Sequence, residues 1–193
     1  MYMKKSIAAH EKVLNRAIIT SSITSEVIKL CTVVIAIALG AFIRIPLPFT
    51  PVPITAQTFF VLLGSAYLGR RLAPLAIGMY LALGIMGLPF FTESGGGLGV
   101  LLGPTGGYLI GFWIVSLFIG KYRNACRSFQ RALVLFFIAS MIILISGTIC
   151  LALCFALSAK TAIYLGMLPF LPGECMKVFI AALIFAKVRA MHT

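Results

Sequence analysis

Apolar residues occupy this chain in long blocks, and the polar positions fall between them. A helix needs roughly 20 predominantly apolar residues to cross a bilayer core. Six stretches approach that length, at about 26–44, 54–69, 72–88, 104–120, 132–156 and 163–186. The fifth carries no charge from Ala132 to Ala156, and only Gly69, Arg70 and Arg71 separate the second from the third. That spacing predicts a tight basic turn between two short antiparallel helices. The pattern as a whole predicts an all-α integral membrane protein of six transmembrane helices. Residues 1–193 read as one domain: a basic tail over 1–25, a helix bundle over 26–187 and a short tail over 188–193. The N-terminal tail reads either as an interfacial helix, with Met3, Ile7, Val13, Leu14 and Ile18 against the headgroups, or as a solvated basic segment. Lys4, Lys5, Glu11, Lys12 and Arg16 interrupt any signal-peptide core.

Composition narrows the class. The chain is 61% hydrophobic and 10% charged, with a mean hydropathy of +1.10. Soluble domains run nearer 45–50% apolar and about 25% charged, so an ordinary soluble domain is excluded, and so is a disordered chain. The net charge of +12 arises because 16 Lys and Arg face only 4 acids. No basic face interleaved with stacking aromatics accompanies it, so nucleic acid is not an expected partner. Instead the charge sets topology. Lys4, Lys5, Lys12 and Arg16, then Arg70 and Arg71, then Lys121, Arg123, Arg127 and Arg131, then Lys187 and Arg189 fall on alternate segments between spans. Arg44 and Lys160 are alone on the other segments. The positive-inside rule places both termini in the cytoplasm of a multi-pass protein of the plasma (inner) membrane.

The unusual stretches then share the outer side. Four prolines between Pro46 and Pro53, Pro51 among them, make a stiff apolar strap, either a connector in the interface or a lid over a pocket. A second outer loop is glycine-rich through Gly96 and Gly97 to Gly103. Pro104 is expected to open the fourth helix, on which Gly103, Gly107 and Gly111 recur at tight-packing spacing. The last span opens on Pro169-Phe-Leu-Pro-Gly-Glu-Cys-Met-Lys177, which puts Glu174 and Lys177 on one helical face. Ionisable groups inside a span are costly unless paired or facing a polar cavity, so these two read as ligand-binding residues, against the plainer reading of a structural ion pair. Arg44 reads as a headgroup anchor or as an attractor of an anionic ligand. Gln57, Thr58, Tyr80 and Tyr108 lie at levels where they could bond a ligand or a neighbouring helix. Glu26 and Lys29 read as a snorkelling local pair.

Catalytic and metal constellations are not expected. His10 and His192 both lie in the tails, and Cys31, Cys126, Cys150, Cys154 and Cys175 form neither a CxxC nor a Cys/His cluster. Cys150 and Cys154 share a helix face and read as buried free thiols. The one Gly-Lys, Gly120-Lys121, is followed by Tyr122, so no P-loop is present and the chain is not an ATPase by motif. The reading is a binding protein rather than an enzyme, with no cofactor of its own.

Four stretches together carry a family resemblance. Pro51-Val-Pro-Ile-Thr-Ala-Gln-Thr-Phe59, Gly87-Leu-Pro-Phe90, Gly99-Val-Leu-Leu-Gly-Pro-Thr-Gly-Gly-Tyr-Leu-Ile-Gly-Phe112 and Pro169 to Lys177 look like the signature segments of the BioY family. These are biotin-specific substrate-binding (S) components of energy-coupling factor transporters, and the resemblance spans about residues 30–187. It implies a six-helix membrane protein that captures biotin at the outer face. Its partners would be a transmembrane coupling subunit and two ATP-binding cassette ATPases. In this reading Glu174 accepts the ureido N–H groups and Lys177 balances its charge while donating to the ureido oxygen. Arg44 meets the carboxylate tail, and Phe59, Phe90, Tyr80 and Tyr108 supply walls. Glu174 stands where the family usually has Asp. Family members also use small residues on the first helix against the coupling subunit. Thr32, Ala36 and Gly40 form such a stripe here, with Gly40 in place of the usual alanine; packing within the bundle is the alternative. Rival readings are an S component for thiamine, riboflavin or a biotin precursor, or a stand-alone secondary transporter.

Overall fold

The computed structural model describes residues 23–91, 96–126 and 128–191. The N-terminal tail, Arg127 and both histidines lie outside the described residues. In chain order the elements are α1 (Ile23–Phe42), β1 (Arg44–Ile45), β2 (Ile54–Thr55), α2 (Gln57–Ile85), α3 (Leu98–Leu101), α4 (Gly106–Tyr122), α5 (Phe129–Cys154), α6 (Ala159–Gly166) and α7 (Leu171–Ala190). Single 3-10 turns occupy Arg123–Ala125 and Leu168–Phe170. Among the described residues, four helical stretches are long and apolar enough to cross a membrane: Ile23–Phe42, Gln57–Ile85, Phe129–Cys154 and Ala159–Ala190.

Side-chain placement follows from an apolar surround. Large aliphatic and aromatic residues such as Ile35, Leu39, Val134, Phe137 and Ile149 face outward, while Ala132, Ala139 and Ser140 are buried. Helices in lipid gain nothing by hiding leucine and associate instead through small residues that let backbones approach. The contact of α4 with α5 shows this: a Cβ on Gly111 would fall 3.1 Å from the Cα of Ile143. The expected packing role of that glycine is therefore realised, although Pro104 lies in the turn before α4 rather than at its first residue.

The predicted basic turn is present inside α2. In one straight helix Gln57 and Tyr80 would stand about 35 Å apart. Instead Gln57 Nε2 donates to Tyr80 Oη at 2.6 Å. The reversal occurs at Gly69, whose φ of 78° belongs to the left-handed region that favours glycine. Arg123 holds this turn from the end of α4, with Nη1 donating to Ala66 O at 2.9 Å and Tyr67 O at 2.6 Å. Arg189, near the end of α7, in turn donates to Arg123 O at 2.7 Å. Cationic side chains thus satisfy carbonyls that a helix end leaves without intrahelical partners. They also tie three of the basic segments together at one end of the bundle.

One expectation is corrected at the opposite end. The sixth stretch is not one helix: α6 stops at Gly166, a 3-10 turn carries Pro169, and α7 starts at Leu171 with Pro172 in its first turn. Proline removes an amide donor, so Pro169 and Pro172 are accommodated at helix starts rather than in a continuous interior. The proline strap is non-helical as expected, and it is closed into a hairpin. β1 pairs antiparallel with β2, Arg44 opposite Thr55 and Ile45 opposite Ile54, and the prolines occupy the loop between the strands.

Candidate functional site

The strap hairpin, the first arm of α2, α4, α5 and α7 converge on a cavity of about 50 Å³. Its polar side is built around Glu174 in the first turn of α7, which is only 4% exposed. Lys177, one turn further on, donates to Glu174 Oε1. Lys177 Nζ also donates to Thr55 O at 2.9 Å, tying α7 to β2 of the strap. The other carboxylate oxygen, Oε2, accepts from the buried hydroxyl of Ser140 on α5 at 2.7 Å. A buried carboxylate is tolerated when paired and hydrogen-bonded in this way. Each oxygen holds one bond here, and a carboxylate can accept about four in all, so acceptor capacity remains towards the cavity.

Gln57 and Thr58, at the start of α2, and Tyr108 on α4 also line the cavity. Gln57 is held by Tyr80, whose hydroxyl in turn donates a hydrogen bond to Phe90 O at 2.8 Å. Tyr108 donates to Gly166 O at 2.6 Å and lies against Phe170, ring centroids 6.2 Å apart. Both tyrosines therefore lock one segment to another through the phenol. The apolar wall comprises Val52, Pro53, Phe91, Val100, Leu109, Phe112, Ile143, Leu144 and Phe170.

Of the residues singled out in the sequence, Glu174, Lys177, Gln57, Thr58, Tyr108 and Pro53 thus meet at one cavity. Tyr80 stands behind it as a support, and Phe90 stacks on Tyr80 with centroids 6.1 Å apart. The wall position expected of Phe90 is taken by its neighbour Phe91. Phe59 packs edge-on against Phe60, 5.1 Å between centroids, and does not line the cavity. Arg44 is exposed on β1, outside the lining but directly across the ribbon from Thr55, which belongs to it. Pro51 is exposed at the strap's tip, while Val52 beside it is buried. Gly97 fastens the glycine-rich loop by donating to Gly84 O at 2.7 Å; Gly96 adjoins it, and Gly103 lies between the lining residues Val100 and Thr105. Ser140, the Thr55 carbonyl, Phe91, Phe112 and Phe170 were not among the expected site residues. For Phe112 a signal existed, since it lies one helical turn from Tyr108.

A second, larger cavity of about 690 Å³ lies between α1, the first arm of α2 and α7. Thr32 and Ala36 line it together with Phe60, Leu63, Ile184 and Arg189. Gly40, the third member of the expected stripe, is buried against α2, where a Cβ would lie 2.8 Å from the Phe60 ring.

A family model described as the BioY family matches residues 8–193. A biotin transporter BioY of Thermotoga maritima is 37% identical over 166 residues, covering 81% of this chain and 90% of that protein. A biotin transporter BioY of Rhizobium etli is 34% identical over 163 residues, covering 78% and 84%. Among solved structures, the S-component for biotin from an ECF-type ABC transporter superposes with a TM-score of 0.80 at 25% identity, covering 88% of this chain and 93% of that one.

Proposed function

The chain belongs to the BioY family, and on that premise we propose that it captures biotin at the outer face of the membrane for uptake into the cell. The observation that carries this reading is the Glu174–Lys177–Ser140 cluster, a hydrogen-bonded charge pair beside a cavity walled by Val52, Phe91, Phe112 and Phe170. Biotin presents ureido N–H donors and a ureido carbonyl beside an apolar sulfur ring. Glu174 accepts the N–H groups, Lys177 donates to the ureido oxygen, and Phe91, Phe112 and Phe170 flank the rings. A hydrogen bond to a charged group contributes roughly 1.5–3 kcal/mol. Arg44, across the ribbon from Thr55, meets the carboxylate tail at the mouth.

At about 50 Å³ the cavity is smaller than the roughly 300–1,000 Å³ of ligand pockets. The strap, through Val52 and Pro53, and the loop carrying Val100 and Thr105 are therefore the parts that yield on binding. The two arms of α2, with α1, α4, α5 and α7, make six traverses with both termini in the cytoplasm. That topology is supported by the Arg123 and Arg189 bonds that draw basic segments to one end, opposite the strap. Energy for uptake comes from a coupling subunit and two ATP-binding cassette ATPases, with the face around Thr32 and Ala36 as the docking surface.

Equilibrium binding of labelled biotin to the purified protein in detergent tests the reading, with thiamine, riboflavin and dethiobiotin as competitors. Stoichiometric binding displaced by unlabelled biotin alone is the expected result. A folded, monodisperse protein that binds no biotin would overturn it.

A further inference from the structure

α5 ends in two cysteines that the biotin reading does not use. Cys150 and Cys154 stand one helical turn apart, with their Sγ atoms 4.0 Å from each other. The sequence reading of both as buried is corrected here: Cys154 is exposed and Cys150 only half-buried. Each thiol also donates to the neighbouring loop, Cys150 to Gly103 O at 3.6 Å and Cys154 to Leu102 O at 3.7 Å. Those two carbonyls lie between Val100 and Thr105, which both line the Glu174 cavity.

A bond between the two sulfurs requires the last turn of α5 to shift, because Cβ atoms four residues apart on a helix stand about 5–6 Å apart and a disulfide holds them at roughly 3.5–4.5 Å. Residues four apart in a helix have Cα atoms about 6 Å apart, and disulfides span roughly 4.4–6.8 Å. Cys150 is held by the close contact of α5 with α4 at Gly107. Cys154 is the last residue of α5, and two residues on Ala156 has a φ of 50°, so the helix is not continued beyond it. The final turn can therefore rotate Cys154 towards a fixed Cys150.

We propose that Cys150 and Cys154 form a dithiol modification site, closed by low-molecular-weight disulfides, and that closure releases the Val100–Thr105 segment from α5. In the first step the exposed Cys154 thiolate attacks one sulfur of the small disulfide, and the other half leaves as a thiol. In the second, the Cys150 thiolate attacks Cys154 Sγ in the mixed disulfide and expels the remaining half as a second thiol. The protein loses two electrons and two protons, and the small disulfide is reduced to two thiols. Both sulfurs then lack the hydrogen with which they hold Leu102 O and Gly103 O. The consequence for ligand, faster biotin release from a cavity whose wall has loosened, rests on the biotin reading.

The test treats the purified full-length protein in detergent with dithiodipyridine. Peptide mass, hydrogen exchange of residues 97–105 and biotin dissociation are then measured before and after dithiothreitol. Expected are a loss of two hydrogens in the peptide holding both cysteines and faster exchange of the loop. Biotin dissociation rises roughly tenfold, as two weak S–H···O contacts allow, and dithiothreitol reverses every change. Exposed Cys31 and Cys175 also react, so every protein compared carries Cys31→Ser and Cys175→Ser. Adding Cys150→Ser/Cys154→Ser should leave biotin binding intact and make loop exchange and biotin release insensitive to the reagent; Cys154→Ser alone, at the exposed position, serves if that variant does not fold. Reagent adducts on Cys150 and Cys154 without a crosslink between them, or a crosslink with unchanged loop exchange, would overturn the proposal, as would equal sensitivity once Cys150 and Cys154 are both serine. A loosened loop with unaltered biotin release would overturn the ligand consequence. Untreated protein that binds no biotin would instead count against the biotin reading, leaving mass and exchange to decide the dithiol.

Discussion

Replacing Glu174 by glutamine (Glu174→Gln) preserves side-chain length and volume while removing the charge at the centre of the cluster. Glu174 now accepts from two donors, Lys177 and Ser140, one on each oxygen. The amide has one acceptor oxygen and one donor nitrogen, so its NH₂ must face either the ammonium of Lys177 or the Ser140 hydroxyl, and one present bond is lost. The ureido N–H groups also lose a charged acceptor. A bond of that class is worth roughly 1.5–3 kcal/mol, which is about a ten- to hundredfold rise in Kd for each one lost. Lys177 keeps Thr55 O, and its side chain, 15% exposed, is less confined than the carboxylate it served, so the bundle should stay folded. The assay is biotin titration in detergent, run beside size-exclusion profiles of the same preparation. A monodisperse variant with the parent Kd, within about twofold, would refute Glu174 as the ureido acceptor. Loss of monodispersity together with binding would show that the pair serves mainly to hold α7 in place.

Three further outcomes follow from the same geometry. Ser140→Ala leaves Glu174 Oε2 without its 2.7 Å donor and should raise the biotin Kd by up to about tenfold with an unchanged size-exclusion profile; an unchanged Kd would remove Ser140 from the site. Gly69→Ala places a side chain at φ 78° and a Cβ 2.5 Å from Arg123 Cζ, so thermal unfolding in detergent should report a loss of roughly 1–3 kcal/mol, and parental stability would contradict the turn described. Ala36→Trp fills part of the 690 Å³ cavity and should block biotin uptake in cells supplying the energising subunits while sparing binding; loss of both, or of neither, would count against a docking face there.

The sequence by itself determined the class of this protein and the order of its helices. Length and apolarity of each block depend only on neighbouring residues, and so does the turn at Gly69, where a glycine followed by two arginines interrupts two short blocks. The pairing of Glu174 with Lys177 was legible for the same reason: i, i+3 spacing puts both on one helical face whatever surrounds the helix. Tertiary structure decided which groups those two residues meet. Ser140 sits 34 residues from Glu174 and the Thr55 carbonyl 122 residues from Lys177, and neither separation carries a local signature. Phe90 and Phe91 are adjacent in a loop, where no periodicity tells the residue that stacks on Tyr80 from the one that faces the cavity. Only packing could separate Gly40, pressed against Phe60, from Thr32 and Ala36 on the open groove, because a stripe of small residues suits a neighbouring helix and a partner equally well.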